Sequence, residues 1–105
     1  MFTSDPDLTA IARRIIWFEP PEKALADPAR FVAYACRYGL HEDMKVLRER
    51  MDDDTFRRLL DEAPPGIIDA RSWAYWNALL GRFPPPPMPQ RSFMRDADRP
   101  DVPVD

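Results

Sequence analysis

The stretch 27-DPARFVAYACRYG-39 decides the reading of the fold. Asp27 is an N-cap residue and Pro28 suits the first helical turn, where its missing N–H breaks no hydrogen bond. Gly39 supplies a stop. Between them Phe31, Tyr34, Ala35 and Tyr38 recur at helical spacing as one apolar face, with Arg30 and Arg37 together on the opposite one. The expectation is a helix ending at Tyr38.

The same signals extend in both directions. Upstream, Ser4-Asp5-Pro6 repeats the cap-and-proline start, and Leu8, Ile11, Ala12, Ile15 and Phe18 form a stripe. Ile16 and Trp17 fall outside it, which leaves a short strand at 15–18 as an alternative, before Pro20-Pro21 ends the element. Residues 21–26 have room for one helical turn. Downstream, Leu40, Met44, Leu47 and Met51 predict a helix over 42–51. Asp52-Asp53-Asp54 then breaks and recaps the chain, and Phe56, Leu59, Leu60 and Ala63 predict a helix over 54–63. After Pro64-Pro65-Gly66, Asp69 caps a last helix that carries Trp73, Trp76, Leu79 and Leu80 and stops at Gly81.

No stretch alternates apolar and polar residues, and no Asn-Gly or Asp-Gly turn is present. The predicted fold is therefore all-α, an irregular bundle of four or five short helices within residues 1–81. An extended Pro-rich C-terminal tail follows, over residues 82–105. The 105-residue chain has 13 prolines, seven of them after Gly81. The run Pro84-Pro85-Pro86-Pro87 favours polyproline II, which is stiff and has no internal hydrogen bonds.

The inventory argues against catalysis. With one His and one Cys, no zinc site of usual ligation can form, and Cys36 has no disulfide partner, as suits a reducing cytoplasm. Three scattered glycines offer no phosphate-cradling loop. Asp52-Asp53-Asp54 reads as capping rather than as a cation site, because the Gly and Glu of a calcium loop are missing. His41 reads as a helix-start residue. No apolar run spans a bilayer and no secretory leader pattern is present, so the expectation is a soluble cytoplasmic protein without a cofactor.

What remains is binding. Tyr75 and Arg71 flank the last helix and are residue types favoured in protein interfaces. Trp73 and Trp76 are assigned to the core. In the tail Arg82, Phe83, Met88, Arg91 and Phe93 are candidate contacts with a partner, since a stiff segment loses little entropy on docking. Trp17, if exposed, could join them or support a homodimer. A helix-turn-helix built from 42–51 and 54–63 is a rival reading. It would present three carboxylates to DNA phosphate, so DNA is not favoured. The net charge of −3 points the same way. A non-catalytic adaptor or scaffold is the other rival.

The order Trp17-Phe18, Glu22-Lys23-Ala24-Leu25, Arg30-Phe31, Tyr38-Gly39 with Glu42-Asp43, Phe56 with Leu60, and Ser72, Trp76 and Leu79-Leu80-Gly81 resembles a family of small helical prokaryotic proteins. Members are often encoded beside nucleotidyltransferase-like toxins and are regarded as their antitoxins. The resemblance covers residues 15–81. It implies a protein that neutralises such a toxin by binding it. It departs from the family pattern at the start of the last helix, where Asp69-Ala70-Arg71 stands in place of Ser-Pro-Lys.

Overall fold

The structure, a computed structural model, describes Phe2 and residues 5–89, and within them every regular element is a helix. The order is α1 (Pro6–Ile15), α2 (Pro21–Leu25), α3 (Pro28–Tyr38), α4 (His41–Glu49), α5 (Asp53–Asp61) and α6 (Ala70–Leu79). This is the predicted all-α bundle with six helices rather than four or five. The sixth is α2, the single turn for which residues 21–26 left room, with Pro21 at its start. The strand alternative at 15–18 does not form. The backbone N–H of Ile16 donates to the Ala12 carbonyl at 2.8 Å, which continues the helical pattern to the end of α1.

Aspartate side chains begin four of the six helices. Asp5 accepts from the N–H of Asp7 and Leu8, Asp27 from Arg30, Asp52 from Thr55 and Asp69 from Ser72. Each cap satisfies a backbone donor that has no partner inside its helix. α4 uses the reverse arrangement. Its Asp43 reaches back to accept from the Leu40 N–H at 2.8 Å and receives both guanidinium nitrogens of Arg14, at 2.8 and 2.5 Å. Asp43 is thereby buried, with a side chain only 8 % exposed, and its carboxyl is held below the usual range by the Arg14 hydrogen bonds and the Leu40 N–H. One side chain caps α4 and ties it to α1.

α3 occupies the centre and contacts all five other helices. Phe31, Val32, Ala33 and Ala35 are at most 1 % exposed, and Ala29 and Cys36 are also buried. The small residues let neighbouring helices approach closely. Around them close Leu8, Ile16, Leu25, Leu47, Phe56 and Leu60, each fully buried. Phe2 packs edge-on to Phe31, with ring centroids 5.8 Å apart. Trp76 stacks on Phe56 at 5.6 Å. Gly39 ends α3 in ordinary extended backbone, not in a left-handed turn. Glycine is required there for space, because a Cβ would sit 2.6 Å from the Ala35 carbonyl oxygen. Gly81, at φ +83°, is the left-handed stop of α6.

The first part of the tail does not leave the bundle. Pro86 accepts a 2.7 Å hydrogen bond from the Trp73 indole, and Met88 packs against the core. The Arg82 N–H donates to the Asn77 carbonyl at 2.8 Å, and its guanidinium pairs with Asp61 at 3.0 Å. Among the described residues no helix is long and apolar enough to cross a membrane.

Two outcomes follow from this packing. Gly39→Ala should destabilise the fold by about 1–3 kcal/mol through the forced shift of Ala35 or α4, read as a lower urea midpoint. Asp43 has a lowered native pKa, so its contribution is complete above the ordinary carboxylate range and is lost as pH falls through that lowered value. Asp43→Ala should cost about 1–2 kcal/mol at pH 7, the sum of a lost cap and a half-exposed ion pair. The difference between the variant and the parent should shrink on titration below about pH 4.

A candidate protein-binding surface

The exposed aromatic residues of the N-terminal half form one continuous row. It begins where α1 ends. Pro20 and Pro21 prevent α1 from continuing, and the turn at 16–18 rotates Ile16 into the core, fully buried, while Trp17 is left 78 % exposed. Phe18, placed in the core stripe from sequence, is 51 % exposed for the same reason. Trp17 and Phe18 meet edge to face at 5.7 Å, Phe18 lies 5.9 Å from Tyr34, and Tyr34 stacks on Tyr38 at 6.1 Å with 27° between the rings. Leu40, 56 % exposed, closes the row. Arg14, Ile15, Trp17, Phe18, Tyr34, Tyr38 and Leu40 surround a depression of about 650 Å³.

The row lies along the only strip of α3 that meets solvent. Arg30, Tyr34, Arg37 and Tyr38 share that strip, and the remaining residues from Ala29 to Cys36 are buried. This corrects the sequence assignment of the tyrosines to the core face and the arginines to the opposite one. The guanidinium of Arg30 lies over the Tyr34 ring and that of Arg37 over the Tyr38 ring, each 5.2 Å from the centroid. Arg30 also holds Glu19 through two hydrogen bonds, at 2.6 and 3.0 Å, which keep the Glu19 carboxyl below its ordinary pKa. Charge around the aromatic row is thus largely neutralised within the protein, and the Tyr34 and Tyr38 rings are held by each other and by Arg30 and Arg37.

A second surface lies along α6. Tyr75 is 58 % exposed, packs edge-on to Trp76 at 5.2 Å, and with Leu79 borders a groove of about 620 Å³ between α6 and α4. Cys36 lies at its base, and burial pushes its thiol far above the ordinary range, so it is not a ready nucleophile. His41 also lines the groove. Among the described residues no three His, Cys, Asp or Glu side chains come together as a metal site.

The sequence-predicted contacts are therefore scattered. Trp17 belongs to the aromatic row, while Arg71 and Tyr75 are exposed one turn apart on α6. Phe83 is 82 % exposed. Arg82 is ion-paired to Asp61 and Met88 packs on the core, so both serve the bundle rather than projecting from it. Arg91 and Phe93 lie outside the described residues. Trp73 and Trp76 are buried as expected. Phe18, Tyr34, Tyr38 and Leu40 were missed. The available signal was Arg30-x3-Tyr34 and Arg37-Tyr38, a repeated Arg–Tyr pairing on one helix strip.

Comparison of the chain with protein-family models, with curated proteins and with solved structures finds no match.

Because Trp17 packs on so little, Trp17→Ala should change unfolding free energy by no more than about 0.5 kcal/mol. Trp73→Ala, in the core and bonded to Pro86, should cost about 3–5 kcal/mol. Urea unfolding of the two variants separates them.

Proposed function

We propose that this chain is a non-catalytic module that grips a protein partner through the row Trp17–Phe18–Tyr34–Tyr38–Leu40. The observation that carries the reading is Trp17, 78 % exposed and continuous with four further exposed or half-exposed apolar side chains. Scaling ordinary side-chain areas by these exposures gives an apolar patch of roughly 400–500 Å², the size of the largest patch on a typical monomer, which is often a functional one. Large aromatics held rigid by their neighbours lose little entropy on binding and are frequent hot spots. Residues 5–40 carry five acidic and five basic side chains, a balance that suits a protein surface better than a nucleic-acid backbone.

The resemblance of residues 15–81 to antitoxin-like proteins names the partner to try first, a nucleotidyltransferase-like toxin, which binding at this surface would hold inactive. A binder of this kind needs no catalytic group of its own, and the buried, protonated Cys36 fits that role.

The test is a calorimetric titration of a nucleotidyltransferase-like protein encoded by a neighbouring gene, taken as the trial partner, with the wild type and with the Trp17→Ser/Tyr38→Ser variant. The expected result is a complex whose affinity falls at least about 30-fold in the variant, the loss of one strong hot spot. An affinity equal to wild type removes the aromatic row from the reading. Absence of any complex removes the toxin.

A further inference from the structure

Between Pro84 and Pro89 the chain is held by the bundle yet keeps one edge open. Exposure there follows a period of three. Pro84 and Pro87 are exposed, whereas Pro85, Pro86, Met88 and Pro89 are half-buried. Polyproline II has three residues per turn, so residues three apart share an edge. One edge of the segment faces solvent and the other two rest on the protein. We propose that the open edge, Pro84 and Pro87 with Phe83 before them, docks a partner protein whose groove, walled by aromatic side chains, reads extended proline segments.

Three observations carry this assignment. The first is anchoring. The Trp73 indole donates to the Pro86 carbonyl at 2.7 Å and Met88 packs against the core, so the segment is pinned on the edges turned away from solvent. Consecutive proline rings already restrict the backbone, and pinning removes freedom that a loose segment would lose on docking.

The second is what the fold leaves unused. Proline has no N–H, so over residues 84–87 the carbonyls are the only backbone hydrogen-bonding groups. Among the described residues, the Pro86 carbonyl alone accepts a hydrogen bond between Phe83 and Pro89. Trp73 shows the chemistry that suits such a segment, an aromatic ring whose N–H donates to a proline carbonyl. A partner's Trp or Tyr would repeat that contact on the open edge.

The third is Phe83. At 82 % exposure it is the most exposed large apolar side chain among the described residues. Residues 83–90 carry no charge, and Arg82 is taken up by Asp61, so recognition here is by shape and apolar contact. Pro84 and Pro87 stand about 9 Å apart at about 3.1 Å per residue. A fitting groove therefore has two aromatic-walled slots at that spacing and an apolar pocket beside them for Phe83. The edge is separate from the Trp17–Tyr38 row, and its test does not involve that row's partner.

The test is a calorimetric titration of the full chain with three isolated domains that read proline segments, an SH3, a WW and an EVH1 domain. At least one should bind with a Kd of about 100 µM or tighter. Phe83→Ser and Pro84→Ala/Pro87→Ala should each weaken that complex at least about tenfold, with urea midpoints close to the parent's because these side chains face solvent. A synthetic peptide of residues 82–89 should bind at least about threefold more weakly than the full chain, because it is not pinned. No binding to any of the three domains overturns the proposal. An equal or tighter affinity of the peptide does so too, since the bundle would then cover the segment rather than present it. Loss of binding in Trp17→Ser/Tyr38→Ser would place the contact on the aromatic row and is equally fatal. Sedimentation showing that the free chain self-associates through Phe83 would make the occupant a second copy and contradict the assignment.

Discussion

Burial of α3 is the constraint on which the rest of this structure depends. Every other helix rests on it, and a helix of 11 residues touched on so many sides must be narrow. Ala29, Ala33, Ala35 and Cys36 keep it so, while Phe31 and Val32 fill the space between its neighbours. The absence of a Cβ at Gly39 lets the chain turn sharply into α4 against the Ala35 carbonyl. A central helix enclosed in this way can show solvent only one strip, and here that strip holds Arg30, Tyr34, Arg37 and Tyr38. The most exposed aromatic residues of the N-terminal half are therefore mounted on, or packed beside, the most enclosed helix of the fold.

The short loops between helices carry the second level of organisation. Pro20-Pro21 ends α1 early, and that break sends Ile16 inward and Trp17 outward. Asp43 then joins α1 to the start of α4 through Arg14, and Arg30 joins α3 to the turn before α2 through Glu19. These partly buried pairs sit at the border of the aromatic row. Their contribution to stability is modest, but each places an arginine or a helix end in fixed register with the rings. Structure and surface are built from the same contacts, which is why the row is pre-formed.

Much of the fold was legible because its punctuation is strong. Asp-Pro pairs, the Asp52–Asp54 run, Asp69 and Gly81 mark helix ends by local hydrogen bonding, and local chemistry can be read from sequence. The buried stripe of α5 was also readable, as were both core tryptophans of α6, although Leu79, grouped with them by spacing, is 48 % exposed. The surface was less so. Periodicity places Tyr34 and Tyr38 on one face with Phe31, but it cannot say that α3 is enclosed on its other sides, so that the tyrosines fall on the open strip. Phe18 was misplaced because the stripe was extended past the point where the helix turns. Met88 and Arg82 looked free because nothing local to a proline-rich segment reveals that Trp73 and Asp61 await it from 13 and 21 residues away.

The central claim is that the aromatic strip on α3 and the adjoining turn form a binding surface and are not an accident of packing. Hydroxyl-radical footprinting of the free chain and of its complex with a co-purified protein partner tests it directly. In the free chain Trp17 and Tyr38 should be modified readily and Trp73 and Trp76 slowly. In the complex Trp17, Phe18, Tyr34 and Tyr38 should become protected together. Protection confined to Tyr75, Phe83 or residues beyond Pro89, with Trp17 and Tyr38 still modified at the free rate, would contradict the account.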